Sequence, residues 1–236
     1  MPGEPRALLA GCPASATREE HRAAISEGNV LAKRTDATRR LTVERLGELH
    51  ALDPAVPLFR VMRLLWDAAD DGKPLLACLC ASARDPLLRM TAGPVLGAAR
   101  GETVTTERIA EAVRAAVPGR FNPSIQRKIA RNAASSWTQS GHLVERAHKV
   151  RSRAVATTAS TAYAVFLGHL TGVRADLLFD THWARLLDAP RPELYATAFE
   201  ASRRGWLDCR RVGDVVEVRF SGLIAEAGLE SVCGQD

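Results

Sequence analysis

The second half of this 236-residue chain states one pattern twice, and that repeat limits the available folds more than any other feature. In the first copy Asn122-Pro123 opens an apolar-periodic segment reaching Gln139, Ser140-Gly141 ends it, and His142-Leu143-Val144-Glu145 leads through a charged turn to Val150-Arg151-Ser152-Arg153-Ala154-Val155. In the second copy Arg191-Pro192 opens a segment reaching Arg204, Gly205 ends it, and Trp206-Leu207-Asp208-Cys209-Arg210 leads through Arg211-Val212-Gly213-Asp214 to Val215-Val216-Glu217-Val218-Arg219-Phe220. Proline suits the first helical turn, glycine supplies the left-handed position that ends a helix, and a hydrophobic period of two marks a strand. Each copy therefore predicts helix, glycine stop, strand, turn and strand, which is the second half of a winged helix. Residues 105–116, ending before Pro118-Gly119, predict the preceding helix of the first copy, and residues 175–187 that of the second. The apolar segment 159–170 is expected to pack the two together.

Upstream, residues 1–16 are rich in Pro, Gly, Ala and Ser without a sustained period, so they read as a flexible tail. From Thr17 helix signals dominate. Thr17 and Glu20 form a capping box, Asp36 precedes a helix carried by Leu41, Val43, Leu46, Leu49 and Leu52 and stopped by Asp53-Pro54, and residues 58–69, 73–82 and 86–98 supply further helices. The expected fold is mainly α: a helical bundle at 17–102, a basic winged helix-turn-helix-like module at 103–156, a linking helix with a second such module at 157–222, small β-hairpin wings in both, and a C-terminal tail at 223–236.

The net charge of +5 becomes informative when divided along the chain. Residues 1–102 carry 14 basic and 13 acidic side chains, residues 103–156 carry 10 and 3, and residues 157–236 carry 8 and 11. The positive excess thus sits in the central module, as expected of a part that meets a polyanion. Projected at 100° per residue, the helix from Ser124 puts Ile125, Ile129, Ala133 and Trp137 on a core side. Ser124, Arg127, Lys128, Arg131, Ser135 and Thr138 gather opposite them, a stripe suited to the DNA major groove. Arg151 and Arg153, two apart on a strand, share one face, with Lys149 at the tip of the wing, and are expected to contact flanking phosphates. A solvated basic face on a packing module is the plainer alternative. The second copy serves as an internal control: its helix buries Leu194, Ala198 and Ala201 and is expected to expose Glu193, Thr197, Glu200 and Arg204, a face that repels phosphates. Arg34, Arg39, Arg40 and Arg45 form a further basic cluster, interleaved with Asp36 and Glu44, for which local ion pairs compete with auxiliary phosphate binding.

Other functions find little support. Asp180-Thr181-His182 is a place to orient an imidazole, but no nucleophile elbow, H-E-x-x-H or P-loop stands in the chain. Trp66, Trp137, Trp183 and Trp206 fall in apolar periodic segments and read as core rather than base-stacking platforms. The five cysteines, Cys12, Cys78, Cys80, Cys209 and Cys233, follow neither a disulfide framework nor zinc spacing, so reduced thiols are expected, with Cys78 and Cys80 buried in a helix. No apolar run reaches the roughly 20 residues of a membrane span, and residues 1–12 lack a secretory core. A cytoplasmic, non-enzymatic protein without cofactor or membrane partner follows. Its expected partner is double-stranded DNA, bound with low sequence preference. A protein-protein adaptor and a winged-helix transcriptional repressor are the alternatives.

Several stretches also resemble a known family. Residues 29–40, Asn-Val-Leu-Ala-Lys-Arg-Thr-Asp-Ala-Thr-Arg-Arg, with the helix to Leu52, are similar to the N-terminal signature of the BrxA family of BREX phage-exclusion systems. So are the run from Trp183 to Asp188, the run from Glu200 to Asp208 and the run from Gly213 to Phe220. The similarity spans roughly residues 20–222, and winged-helix tails share part of the pattern. The resemblance implies a non-enzymatic DNA-binding component of a bacterial antiviral island whose partners include other BREX proteins, a methyltransferase and an ATPase among them.

Overall fold

A computed structural model of the chain describes residues 4–145, 147–213 and 215–230. The remainder of both expected tails, with Cys233, and Asp214 of the second turn lie outside the described residues. Among the described residues the protein is mainly helical, with two small antiparallel hairpins.

Capping chemistry sets most of the helix starts. Helix α1 (Glu4–Gly11) is followed by α2 (Arg18–Ser26), whose capping box is the expected one: the Glu20 amide donates to Thr17 Oγ1 at 3.2 Å while the Thr17 amide donates to Glu20 Oε2 at 2.7 Å. Helix α3 (Asp36–His50) starts on Thr35 and ends earlier than Asp53-Pro54, because Ala51 and Leu52 adopt positive φ. Its buried side is Thr42, Val43, Leu46 and His50; Leu41 is 64% exposed, not core. Helices α4 (Pro57–Trp66) and α5 (Lys73–Arg84) both open on a proline in the first turn, where the missing N–H costs nothing. The single helix expected over 86–98 is two short ones, α6 (Pro86–Met90) and α7 (Ala92–Leu96), broken at Thr91.

Both copies of the repeat form as the pattern requires. The first is α8 (Thr106–Ala116), α9 (Pro123–Gln139), β1 (Leu143–Val144) and β2 (Val150–Arg151). The second is α12 (Arg191–Arg203), β3 (Asp208–Val212) and β4 (Val215–Arg219), preceded by α10 (Thr158–Leu170) and α11 (His182–Arg185) and followed by α13 (Ser221–Glu226). The two helix stops coincide with Gly141 at φ +85° and Gly205 at φ +76°, a region that side chains disfavour. β1 pairs with β2 through Leu143 and Arg151, and Thr103 bridges Val150 on the far side of β2. β3 pairs with β4 from Asp208–Arg219 to Val212–Val215, with Cys209, Val216 and Val218 inward.

Three expectations need correction. Residues 4–16 are not a flexible tail: Leu8 and Leu9 are buried, Glu4 is paired with Lys33, and Arg63 donates to the carbonyls of Leu9 and Cys12 at 3.4 and 3.2 Å. So short a helix carries little periodic signal, and partners from elsewhere in the chain hold it. Residues 223–230 likewise pack, with Leu223 and Leu229 buried and Arg60 donating to the Ala227 carbonyl at 2.8 Å. The helix expected over 175–187 is a 3-10 segment, Ala175–Asp180, and then α11, because the Thr181 hydroxyl accepts the Ala184 amide and restarts the helix there.

Helix α10 is the axle. It is buried from Ala159 to Gly168 and packs against α4, α5, α11 and α12, and its Tyr163 hydroxyl donates to the Leu58 carbonyl at 2.9 Å. One continuous hydrophobic core therefore joins the N-terminal helices to both copies, with Trp66, Trp137, Trp183 and Trp206 all buried in it.

Candidate nucleic-acid interface

Helix α9 is built to stand on the surface. Asn122 caps it, accepting the Ile125 amide at 2.9 Å, and Gln126, Ala130, Ala133, Ala134 and Trp137 face inward. Small alanines bring the helix close to its neighbours, and Trp137 anchors it: Nε1 donates to Thr91 Oγ1 at 2.8 Å, and the ring meets His142 edge-on. The inward stripe is therefore rotated from the expected one. Ala133 and Trp137 belong to it, but Ile129 is half-buried and Ile125 is 42% exposed.

On the outward face Ser124, Arg127, Lys128 and Arg131 are exposed together, and none of the three cations has a carboxylate partner among the described residues. Ser135 and Thr138 are half-buried further along, where Thr138 Oγ1 donates to the Ala134 carbonyl and Ser135 Oγ accepts the Gln139 amide. The charge is thus concentrated in the first half of the helix. Two exposed neighbours join it that the projection missed: Asn132, and Arg120, whose guanidinium stacks on Phe121 at 5.3 Å in the turn before α9. Arg120 follows Pro118-Gly119, and a cation in the turn leading into a basic helix is the signal that was available. The arginines of α8 are neutralised, Arg108 by Glu102 and Arg114 by Glu111.

The hairpin corrects the expected wing. The expected strand stops at Arg151, the end of β2, so Arg153 lies beyond it, and both arginines turn into the protein. The Arg151 side chain is 5% exposed and grips Asp188 through two bonds, Nη1 to Oδ2 at 2.8 Å and Nη2 to Oδ1 at 2.7 Å. Arg153 pairs with Glu193 and donates from Nε to the Asp188 carbonyl at 2.9 Å. Both are removed from the phosphate-contacting set. Lys149, half-buried, donates from Nζ to the Glu145 carbonyl at 2.6 Å and remains beside the turn.

The same contacts revise the second copy. Leu194, Ala198 and Ala201 are buried as expected, but Glu193 is held by Arg153, the Thr197 hydroxyl meets Thr161 Oγ1 at 2.9 Å, and Glu200 is held by Arg203 and Arg204. Glu193 and Thr197 thus pack against the first copy and α10, whereas Glu200 sits with its own helix's Arg203 and Arg204, which are exposed. In the N-terminal cluster Arg39 is engaged by Asp36, while Arg34, Arg40 and Arg45 are exposed. Asp180 pairs with Arg191 at 3.2 Å and does not orient His182, whose Nε2 lies 3.1 Å from Ser82 Oγ.

Buried titratable groups serve packing. Burial pushes Cys78 and Cys80 up to about 11 and about 12, so both thiols stay protonated. Burial likewise lowers His142 to about 4; its ring bridges Ser140 Oγ at 2.8 Å and the Leu186 carbonyl at 2.9 Å, joining the two copies. No helix among the described residues is long and apolar enough to cross a membrane. No protein-family model, curated protein or solved structure matches this chain, so its surface chemistry is what bears on function.

Proposed function

We propose that this protein binds double-stranded DNA through α9, as a non-enzymatic component with limited sequence preference. The observation that carries the reading is the set of three exposed, unpaired cations, Arg127, Lys128 and Arg131, on the outer face of a rigidly seated helix. Arginine reaches guanine edges or phosphates with two bonds at once, and Ser124 and Asn132 supply short hydrogen-bonding side chains beside it. The order α7, Thr103 bridge, α8, α9 and hairpin supports a winged helix with α9 as its recognition helix. The cellular setting we assign is cytoplasmic phage defence of the BREX kind, with a methyltransferase and an ATPase as protein partners, on the strength of the sequence resemblance. A protein-protein adaptor is the second reading, favoured by the second hairpin, where Val212 and Val215 pair across the turn at 79% and 70% exposure.

Fluorescence anisotropy with a random duplex tests the proposal. Three phosphate contacts give a slope of log K against log salt of about −2.7, hence about a fortyfold loss of affinity between 50 and 200 mM salt. Binding indifferent to salt, or none at low salt, refutes it and leaves the adaptor.

A further inference from the structure

Between α1, α3, α5 and α9 lies a cavity of about 110 Å³, separate from the cationic face of α9. Its lining is mixed: Leu46, Leu49, Trp66, Ala77 and Ala81 supply the apolar part, beside Arg6, Arg45, His50 and other polar side chains. An engineered apolar cavity of about 150 Å³ takes a benzene molecule; this space is smaller but opens to solvent, so a single ring is the largest group it takes, with a substituent reaching its mouth. Its polar groups are unusual in what they lack. His50, which lines the cavity, is 4% exposed, and its Nδ1 has no hydrogen-bond partner. Leaving such a group unpaired costs free energy that a ligand or water recovers. Arg6 and Arg45 also line the cavity, both exposed at its rim and neither with a carboxylate partner among the described residues, whereas Glu4 beside them is engaged by Lys33. The rim therefore attracts anions while the interior attracts apolar surface.

We propose that this cavity is a binding site for a small organic anion, an aromatic ring of about benzene size bearing one carboxylate. The ring lies among Leu46, Leu49 and Trp66, and the carboxylate meets Arg6 and Arg45. Helix α9 contributes Ser136 and Gln139 to the lining, so an occupant touches the helix, but the site does not depend on the DNA reading.

Calorimetry on the full chain without DNA tests this, with benzoate as probe and benzylamine, the same ring with the opposite charge, as control. Benzoate should saturate one site with a Kd on the order of 1 mM or tighter. Arg45→Gln should weaken it about tenfold, the loss of one charge-assisted hydrogen bond. Ala81→Leu, which fills the cavity, should abolish it, and Arg45→Gln, at an exposed position, decides the matter if that variant does not fold. Absence of saturation far above that concentration, equal binding of benzylamine, or benzoate affinity unchanged in Arg45→Gln overturns the proposal.

Discussion

Asp188→Asn is the substitution that most directly tests how the two copies are held together. The Asp188 carboxylate accepts two bonds from Arg151 and the Ala154 amide at 3.0 Å, and the two side chains are 17% and 5% exposed. Burial pushes its pKa up, but the hydrogen bond and charge of Arg151, with the Ala154 amide, outweigh that and hold it below the usual carboxylate range. Asparagine keeps the shape but removes the charge, and its NH2 must face one of those donors. A buried guanidinium left without its counter-charge costs about 3–5 kcal/mol. At about 2–4 °C per kcal/mol for a chain of this size, Tm should fall by about 6–20 °C at pH 7. Because the folded pKa is depressed, this stabilisation is complete above the ordinary aspartate value and is lost as pH falls through the folded one, so parent and variant should converge in acid. Scanning calorimetry at pH 7 and at a pH below the ordinary aspartate range reads both. A double change, Arg151→Met with Asp188→Leu, should recover part of the loss, since no charge is then stranded. A Tm at pH 7 within about 2 °C of the parent shows that the clasp does not hold the copies together and refutes the reasoning.

Replacing Arg127 and Arg131 together with Ala should cut the duplex salt slope by about 1.8, two phosphate contacts' worth, with Tm little changed, while the same treatment of Arg39 and Arg40 should leave the slope as it was; anisotropy at four salt concentrations separates the two. Ile125, 42% exposed in the first turn of α9 and flanking the cationic face, should contact thymine methyl groups: exchanging thymine for uracil should weaken the parent about fourfold per contacted methyl and leave Ile125→Ser unaffected. Burial holds His50 down to about 4, so the folded state favours the neutral ring; its contribution is complete above about pH 6.5 and is lost as pH falls toward 4, amounting to about 3 kcal/mol. Urea melts at pH 7 and pH 5 should show about 2 kcal/mol of that decline from His50, and His50→Gln should reduce the total decline by that amount, leaving the shares of His142 and His182, which burial also lowers to about 4.

The fold was legible where a local rule decides it. The Thr17 and Glu20 capping box, the prolines opening α9 and α12, and the glycines ending them are choices within a few residues, and the elements appear where those choices place them. Leu194, Ala198 and Ala201 are buried because a helix that must pack shows its period. What escaped was structure held by distant partners. Helix α1 is tied by Lys33 and Arg63, and the C-terminal segment by Arg60, none of them adjacent in sequence. The restart at Thr181 escaped for the opposite reason: a hydroxyl inside an apolar-periodic stretch gives no warning that it will cap a new helix.

The candidate site divides along the same line, and the division explains the charge asymmetry between the copies. That Arg127, Lys128 and Arg131 face outward follows from helical geometry alone, since the alanines and Trp137 must face the core. Strand parity predicts that Arg151 and Arg153 share a face, yet it says neither where the strand ends nor which way they turn, and the answer lies in Asp188 and Glu193, 37 and 40 residues away. Part of the positive excess of the first copy and part of the negative excess of the second are thus one set of contacts. Two of the central cations and two of the downstream carboxylates neutralise each other, and α9 keeps the charge that remains available to a partner. A protein that spends its wing arginines on its own second copy presents a narrower cationic surface, confined to one helix and the turn before it. If the proposed duplex binding holds, such a surface should follow one groove rather than straddle it, and a short footprint on the duplex is the expected outcome.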